Sequence, residues 1–458
     1  MAALPSCAVA AEDAAELPGA ALSLAWGLPF AGILLSIAVL PLLAPRFWHD
    51  HFGKVAAFWS AAFLVPALVK SGPVVTLHEL LHVVLLEYVP FVVLLLALFT
   101  VGGGIRITGP TGGTPARNTV VLALGAAVAG WMGTTGACMV LIHALLNANA
   151  WRKRRAHIVV FFIFTAGNIG GSLSPLGDPP LFIGFLKGVN FFWPAANLFW
   201  PMLLCLAVVL PVFFLVDRHC LKRDGDRLPA DAADARFGFE GGLNLALLAL
   251  IVAAVLASGL FPTHLHATIA GVHLEYEDIA RTAVLIAIAA LSAWLTPPAI
   301  RAANGFHWFP MIEVAKLFAG IFITIVPVIA ILKAGSAGAA APLIGLLNAG
   351  GAPNQAMYFW ITGILSAFLD NAPTYLVFFN IAGGDAGLLM GKLAGTLTAI
   401  SAGAVFMGAL TYIGNAPNFM VKAIAEDRGV KMPSFFGFML WSVPVLVPAF
   451  VLVTLVFF

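Results

Sequence analysis

The chain has 458 residues, of which 61% are hydrophobic and only 10% carry a charge. Soluble proteins have charged side chains at about a quarter of their positions, so 23 basic and 21 acidic residues are too few for several soluble domains. The net charge of +2 and the lack of a basic patch exclude a nucleic-acid partner. Apolar runs of about 20 residues, long enough to cross hydrocarbon, recur throughout. They indicate a polytopic protein of the lipid bilayer.

The N-terminal segment differs from the rest of the chain. Residues Met1 to Glu16 contain Ala-Val-Ala-Ala before Glu12, which resembles the end of a secretory signal without its basic and apolar regions. Residues 1–22 are therefore interpreted as an extracytoplasmic tail or a signal remnant. The four cysteines lie far apart without metal-like spacing, so we expect neither a disulfide framework nor a zinc site.

Twelve apolar stretches are assigned as helices, because no strand pattern of alternating residues recurs. They fall at 23–44, 55–71, 87–105, 118–150, 158–186, 195–216, 242–262, 281–297, 313–332, 355–387, 393–421 and 435–458. Four stretches are too long for simple spans and contain helix-breaking residues. The breaks are Gly133-Thr134-Thr135-Gly136, Gly167-Asn168 with Ser174-Pro175, Asp370-Asn371-Ala372-Pro373 and Gly414-Asn415-Ala416-Pro417.

The placement of Lys and Arg predicts how these stretches cross the membrane. If 118–150 and 355–387 are re-entrant hairpins and every other stretch crosses once, 17 of the 23 basic residues lie on the cytoplasmic side. The opposite side receives the acidic loop from Phe261 to Ala280, which has no Lys or Arg. If the hairpins were ordinary spans instead, the basic segments 151–155 and 422–431 would lie on sides of the membrane that do not fit the charges of the neighbouring segments.

Each half of the chain then has about five transmembrane helices plus one re-entrant hairpin. Because five is odd, the second half is inverted relative to the first. We expect an all-α polytopic membrane protein with two inverted repeats, at 23–216 and 242–458, joined by a cytoplasmic linker at 217–241. Broken helices are expected to meet at the midplane, where secondary transporters with inverted repeats bind their substrates.

Two carboxylates interrupt stretches that are otherwise uncharged. Asp178 follows Ser174-Pro175-Leu176-Gly177, and Asp370 is interpreted as its counterpart in the second half. An ionised Asp at the bilayer centre costs about 2.5–3.5 kcal/mol on insertion scales, so such residues usually mark an ion or proton path. Each Asp could instead cap the half-helix that follows it. A buried carboxylate suits protons as well as hard cations such as Na⁺ or Li⁺, which is what exchange requires.

The other breaks supply hydroxyl groups, amides and free backbone groups. Together with Asp178 and Asp370, which would bind the transported cation, the predicted ion and proton site contains Thr134, Thr135, Asn168, Ser172, Ser174, Asn371, Thr374, Asn415 and Asn418. Each residue alone is a weak signal, because small polar residues are common in transmembrane packing. Their placement in both halves makes the set more specific.

The motifs resemble those of a known group of transporters. Ser174-Pro175-Leu176-Gly177-Asp178 is close to the Ser-Pro-x-Gly-Asp motif of the NhaD-type sodium:proton antiporters, which Asp370-Asn371-Ala372-Pro373-Thr374 also resembles. Gly414-Asn415-Ala416-Pro417-Asn418 is similar to a break common in the ion transporter superfamily, which includes citrate-transporter-like members. The resemblance covers nearly the whole chain in layout. It implies two opposed hairpins, a homodimer and elevator-like alternating access.

The favoured interpretation is a sodium(lithium):proton antiporter of a bacterial-type inner membrane. Asp178 and Asp370 would bind cation and proton alternately, with no cofactor beyond the transported ions. The chain departs from the antiporters in one respect. Those proteins tend to follow the first Asp with a hydroxyl-rich stretch, whereas Pro179-Pro180-Leu181-Phe182 stands here and offers fewer cation ligands.

Two alternatives remain open. A cation-coupled citrate or dicarboxylate transporter would hold carboxylates at the Asn and Ser/Thr breaks, although two acidic residues and no Arg in the presumed core disfavour a trianion. An intramembrane aspartyl protease is more remote. The segment Pro175-Leu176-Gly177 before Asp178 lacks the Gly-x-Gly-Asp pattern, and no Tyr precedes Asp370. We therefore expect a transporter and not an enzyme.

Overall fold

The computed structural model describes residues 17–108, 112–225, 238–263, 265–348 and 352–458. Residues 1–16 of the predicted tail and residues 226–237 of the predicted linker lie outside this part. Among the described residues, eight helical segments are long and apolar enough to cross a bilayer: Leu24–Leu43, Pro45–Gly102, Ala156–Leu173, Trp193–Asp224, Gly242–Leu260, Tyr276–Leu295, Phe309–Lys333 and Phe435–Phe457. The prediction of a polytopic, almost entirely helical membrane protein is confirmed.

Among its described residues, the first half contains eight α-helices. They are α1 (Leu28–Leu43), α2 (Pro45–Val83), α3 (Val89–Gly102), α4 (Pro115–Met132), α5 (Thr134–Ala148), α6 (Ala156–Thr165), α7 (Pro179–Leu186) and α8 (Trp193–Asp224). Gly72, at φ 81° and ψ 165°, bends α2 into two segments. A π-helical turn at Val84–Tyr88 joins α2 to α3. The last helix continues beyond the predicted boundary at residue 216 as far as Asp224.

The described part of the second half contains twelve α-helices. They are α9 (Gly242–Leu260), α10 (Tyr276–Leu295), α11 (Pro298–Ala303), α12 (Phe309–Thr324), α13 (Val326–Lys333), α14 (Ala341–Leu347), α15 (Gln355–Leu369), α16 (Asn371–Ile381), α17 (Ala386–Met390), α18 (Ala394–Met407), α19 (Ala416–Asp427) and α20 (Phe435–Phe457). Single turns of 3-10 helix follow α6 and α18 at their breaks. The two halves thus contain the same kind of hairpin and broken helix.

Two short antiparallel sheets correct the prediction that the chain contains helices alone. Strand β1 (Arg106–Thr108) pairs with β2 (Gly238–Glu240), and β3 (His266–Ile269) pairs with β4 (Val272–Glu275). The second pair forms a β-hairpin inside the predicted acidic loop. Its turn uses Ala270 and Gly271, both at positive φ, as tight two-residue hairpin turns require.

The helices pack in two groups. Helices α1, α2, α3, α9, α10 and α12 pack against one another and are called the flanking bundle. The α4–α5 and α15–α16 hairpins pack with the broken helices α6–α7 and α18–α19 and with α8 and α20, and they are called the site body. The two groups meet where α3 lies against α5 and α7 and where α1 lies against α15.

The first predicted hairpin reverses direction at Gly133, which joins α4 to α5 at φ 80° and ψ 146°. At its open end, Asn118 Nδ2 donates to Asn149 Oδ1 at 3.0 Å, and Asn149 Nδ2 donates back to Asn118 Oδ1 at 2.8 Å. The chain therefore leaves the hairpin at the level at which it entered. This is the geometry expected of a re-entrant segment.

A buried ionic cluster also holds the base of this hairpin. The Asp217 carboxylate contacts Arg152 Nη2 at 2.5 Å and His157 Nε2 at 2.8 Å, and it accepts a hydrogen bond from Asn118 Nδ2 at 2.9 Å. The predicted linker began at residue 217, but this carboxylate is fully buried within α8. Pairing of the buried charges offsets part of the cost of burying each alone. The partners are 60 to 99 residues away in the sequence, which concealed them.

The second hairpin has the same backbone geometry at its tip. Asp370 joins α15 to α16 at φ 76° and ψ 145°, close to the dihedrals of Gly133, and the two positions differ by 237 residues. Asp370 is therefore the structural counterpart of Gly133. The pairing of Asp370 with Asp178 as equivalent positions is wrong, because the break that carries Asp178 corresponds to the break that carries Asn415.

A hydrogen bond repeated in both halves supports this correspondence. Ser174 Oγ donates to the Gly130 carbonyl at 2.5 Å, and Thr411 Oγ1 donates to the Ala367 carbonyl. Positions 174 and 411, like 130 and 367, differ by 237. The same offset relates Asp178 to Asn415. The orientation of each half in the membrane stays a prediction.

This repeated bond leads to a stability prediction. Ser174→Ala and Thr411→Ala each leave a buried carbonyl unpaired, so each is expected to lower the free energy of unfolding by about 1–3 kcal/mol. The two losses should be similar, since both hydroxyls tie a broken helix to a hairpin. Thermal unfolding in detergent measures the effect, with Ser174→Thr and Thr411→Ser as controls. Two undisturbed alanine variants would contradict the shared role.

Candidate functional site

Four helix N-termini converge in the site body. Helices α5, α7, α16 and α19 each begin directly after a break, at Thr134, Pro179, Asn371 and Ala416. The first N–H groups of a helix lack partners within it and carry a partial positive charge. This charge stabilises anionic oxygen atoms placed nearby, whereas burial away from water disfavours them. A carboxylate at this point therefore experiences two opposed effects.

Asp178 lies at this point and is 1% exposed. Its Oδ1 accepts hydrogen bonds from Thr134 Oγ1 at 3.1 Å and from Asn415 Nδ2 at 2.9 Å. Its Oδ2 accepts a hydrogen bond from Asn371 Nδ2 at 2.5 Å. All three donors are uncharged, and they come from both hairpin tips and from the other broken helix.

The capping interpretation fails for Asp178. Its side chain makes no hydrogen bond to the first turn of α7. The first two residues of that helix are Pro179 and Pro180, which have no N–H to donate. The two prolines therefore leave the carboxylate to the neighbouring elements.

The three donors and Asp178 form a symmetric tetrad across the two halves. Thr134 and Asn371 begin equivalent hairpin helices and differ by 237 positions, as do Asp178 and Asn415. Asp178 is the single ionisable member. Asn415 Nδ2 also donates to the carbonyl of Gly167 at 3.2 Å. A carboxylate at position 415 would therefore face an acceptor, whereas the carboxylate at position 178 faces only donors.

One oxygen of the tetrad has no partner. Asn371 is fully buried, and among the described residues its Oδ1 accepts no hydrogen bond. Buried polar atoms are nearly always paired, and an exception calls for an unseen water or ion. The unpaired oxygen belongs to the amide that contacts Asp178. This amide oxygen, the Asp178 carboxylate and the Thr134 hydroxyl are oxygen ligands of the kind that hard cations prefer.

Asp370 occupies a different setting. It is partly exposed, and its Oδ1 accepts from the Ala372 N–H at 3.3 Å, so its cap on α16 is present but long. Thr374 Oγ1 donates to the Asp370 carbonyl at 2.7 Å and makes no contact with Asp178. The two carboxylates are not hydrogen bonded to each other.

A cavity between the site body and the flanking bundle joins the two carboxylates. Asp178, Asp370, Thr134, Thr135 and Asn415 contribute to one wall. The opposite wall, from α3 and α12, is apolar and includes Leu94, Leu98, Phe99, Met311, Val314 and Phe318. No Lys or Arg lines this cavity among the described residues. The predicted lack of basic groups therefore holds for the cavity surface itself.

The remaining predicted residues support the tetrad without contacting Asp178. Asn168 Nδ2 donates to Asn418 Oδ1 at 2.7 Å, and Asn168 Oδ1 accepts from Asn415 Nδ2 at 3.3 Å. Asn418 Nδ2 in turn donates to the Thr411 carbonyl at 2.9 Å. Ser172, like Ser174, donates to a backbone carbonyl, that of Ile169, at 2.9 Å. These groups fix the two broken helices.

Sequence reasoning missed a buried arginine near the cavity. Arg281 in α10 is 4% exposed. Its guanidinium lies 6.0 Å from the ring of Phe182, a residue of the cavity wall. The signal available was a charge within the first turns of a predicted span, but its position beside the acidic loop suggested an ordinary helix end.

A buried carboxylate where four half-helices meet, inside a bundle of membrane-spanning helices, is typical of a secondary membrane transporter. The chain belongs to the CitMHS_2 family, described as "Putative citrate transport", whose model matches residues 19–458. The expected citrate-transporter-like relationship is thereby confirmed, and the protein is a multi-pass membrane transporter. No curated protein matches the chain.

Proposed function

We propose that this transporter exchanges a small monovalent cation, Na⁺ or Li⁺, for protons, with Asp178 as the group that binds both. The tetrad supports this proposal most directly. It places one buried carboxylate among uncharged donors and beside the unpaired Oδ1 of Asn371. A bound cation or a bound proton would each neutralise Asp178, so the two ligands compete.

The Asn371 amide suits both forms of the site. With Asp178 ionised, Asn371 Nδ2 donates to its Oδ2. With Asp178 protonated, the new O–H needs an acceptor, and a turned Asn371 amide supplies Oδ1. When a cation binds, the same amide oxygen becomes a ligand. Asn371 can therefore follow the exchange of ligands without a change in backbone.

Asp370 adds a second negative charge to the cavity and attracts cations toward Asp178. We place this activity in a bacterial-type inner membrane and in a homodimer, with the site body moving against the flanking bundle in alternating access. The apolar wall of α3 and α12 supports such movement, since it forms few polar contacts that would have to break.

Proton movement in inside-out membrane vesicles tests the exchange. A pH-sensitive dye would report the response to pulses of Na⁺, Li⁺ or K⁺ between pH 6 and 9. We expect dequenching with Na⁺ or Li⁺, and the order of the three cations gives the selectivity of the site. The absence of a response to all three would contradict the proposal.

The role of the unpaired amide oxygen can be tested separately. Asn371→Ala removes a neutral ligand of the cation, so the Na⁺ concentration for half-maximal exchange is expected to rise about tenfold, the equivalent of about 1.4 kcal/mol. Asn380→Ala is the matched control, because that amide donates to a carbonyl within α16. An unchanged Na⁺ requirement in Asn371→Ala would exclude the amide as a ligand.

The family description favours a second candidate, a cation-coupled citrate or dicarboxylate transporter. In it, Asp178 would hold the coupling cation and the organic anion would occupy the cavity beside it. The acidic cavity surface requires cations to bind with the anion. Uptake of labelled citrate and succinate into proteoliposomes, with and without a Na⁺ gradient, separates this function from exchange alone.

A further inference from the structure

Arg281 presents an unused pair of hydrogen-bond donors inside the protein. Its Nη1 donates to Asp278 Oδ1 at 2.7 Å and to Ser258 Oγ at 3.1 Å. Its Nε and Nη2 are buried and have no hydrogen-bond partner among the described residues. These two nitrogens form one edge of the planar guanidinium. That edge is the fork that binds a carboxylate through two parallel hydrogen bonds.

Two other arginines, the buried Arg152 and the partly buried Arg301, show that this arrangement is specific. Arg301 gives both terminal nitrogens to carbonyl and hydroxyl groups of Thr100 and Ser292. Arg152 likewise gives both to Asn149 and Asp217. Each has only Nε unpaired. Arg281 alone among these three keeps a complete two-donor edge, and leaving such donors unpaired in the interior is costly.

The position of Arg281 relates it to the cavity. Its guanidinium lies 6.0 Å from the ring of Phe182 and 5.6 Å from the ring of Phe185, both on α7. Phe182 also lines the cavity that contains Asp178, and it stands in the first turn of the helix that follows Asp178. One aromatic side chain is thus shared by the acidic cavity and the buried cation.

We infer that Arg281 is a binding residue for a carboxylate group of an organic anion, which reaches the Nε and Nη2 edge when Phe182 turns aside. The inference rests on the proposed cation-coupled transport and adds a binding residue to its second candidate, the transporter of small di- and tricarboxylates. The cation at Asp178 and the guanidinium would together offset the anion's charge.

Binding to the purified protein in detergent tests the inference. Citrate, succinate and inorganic phosphate are titrated separately by calorimetry in saturating Na⁺. We expect citrate or succinate to bind more tightly than phosphate. Arg281→Lys, which keeps the charge but loses the fork, should weaken carboxylate binding about tenfold or more. Arg301→Lys, at a partly buried arginine, is the control and should leave carboxylate affinity unchanged.

A second variant guards against misfolding of Arg281→Lys. Asp278→Asn removes the anion beside the guanidinium but keeps the Ser258 contact, so carboxylate affinity should increase several-fold. Equal affinities in wild type and both variants would overturn the inference, as would tighter binding of phosphate or no carboxylate binding. Cation exchange in vesicles is a separate measurement. If the vesicles show no cation exchange but carboxylates still bind in a manner that depends on Arg281, the exchange proposal is contradicted and the inference about Arg281 is not.

Discussion

Replacing Asp178 by Asn is expected to abolish cation-dependent proton movement while the protein still folds. An amide cannot release a proton or compensate a cation, so neither ligand can be exchanged. The fold should persist because Thr134 and Asn415 still find an acceptor oxygen. The new NH₂ group would face Asn371, whose amide can turn its unpaired Oδ1 toward it. The vesicle assay measures the loss, and thermal unfolding in detergent reports the fold.

Asp385→Asn provides the matched control for this variant. Asp385 caps α17 by accepting the Leu388 N–H at 2.8 Å, and Asn caps a helix equally well. Exchange in that variant should equal the wild type. Retained exchange in Asp178→Asn, at comparable protein abundance, would exclude Asp178 as the exchanging group.

Replacing Asp370 by Gly is expected to weaken cation-dependent exchange and at the same time preserve or increase stability. Asp370 has φ 76° and ψ 145°, a conformation that costs a non-glycine residue about 1–3 kcal/mol. Glycine relieves that strain and loses the hydrogen bonds of the Asp370 carboxylate to the N–H groups of Asn371 and Ala372, the latter long at 3.3 Å. A gain of about 1 kcal/mol in the free energy of unfolding is therefore expected. Strain kept at this position indicates a carboxylate required for function.

Gly133→Ala is the converse test at the equivalent tip. It introduces a side chain at φ 80°, with the new Cβ 3.4 Å from the Leu176 carbonyl oxygen, so stability should fall by about 1–3 kcal/mol. Asp370→Asn keeps the strain and removes the charge, which separates the two effects. Wild-type exchange in Asp370→Gly, or a clear loss of its stability, would refute the functional explanation of the strain.

Much of the fold could be predicted because membrane helices reveal themselves through length and hydropathy. The overlong stretches at 118–150 and 355–387 contained helix-breaking residues, and both form hairpins in the structure. The β3–β4 hairpin was missed because its four-residue strands are too short to produce a recurring pattern. Asp217 was missed as a buried residue because its partners are distant in sequence.

The residues of the site could be predicted from the sequence, but which positions of the two halves are equivalent could not. A carboxylate in an uncharged stretch identified Asp178, and breaks in the other elements identified Thr134, Asn371 and Asn415. Matching by residue type then paired Asp178 with Asp370. Backbone geometry instead pairs Asp370 with a glycine, because a positive φ is what the two hairpin tips share. Side-chain chemistry differs between equivalent positions, whereas the turn they form does not.

The most direct test of the central claim is proton release on cation binding. Na⁺ is titrated into the purified protein by calorimetry in two buffers with different protonation enthalpies, at a pH where the protonated site is populated. If Asp178 binds either ligand, Na⁺ binding releases a proton in the wild type, and Asp178→Asn shows neither binding nor release. Na⁺ binding without proton release in the wild type, or unchanged release in Asp178→Asn, would contradict a shared site at this carboxylate.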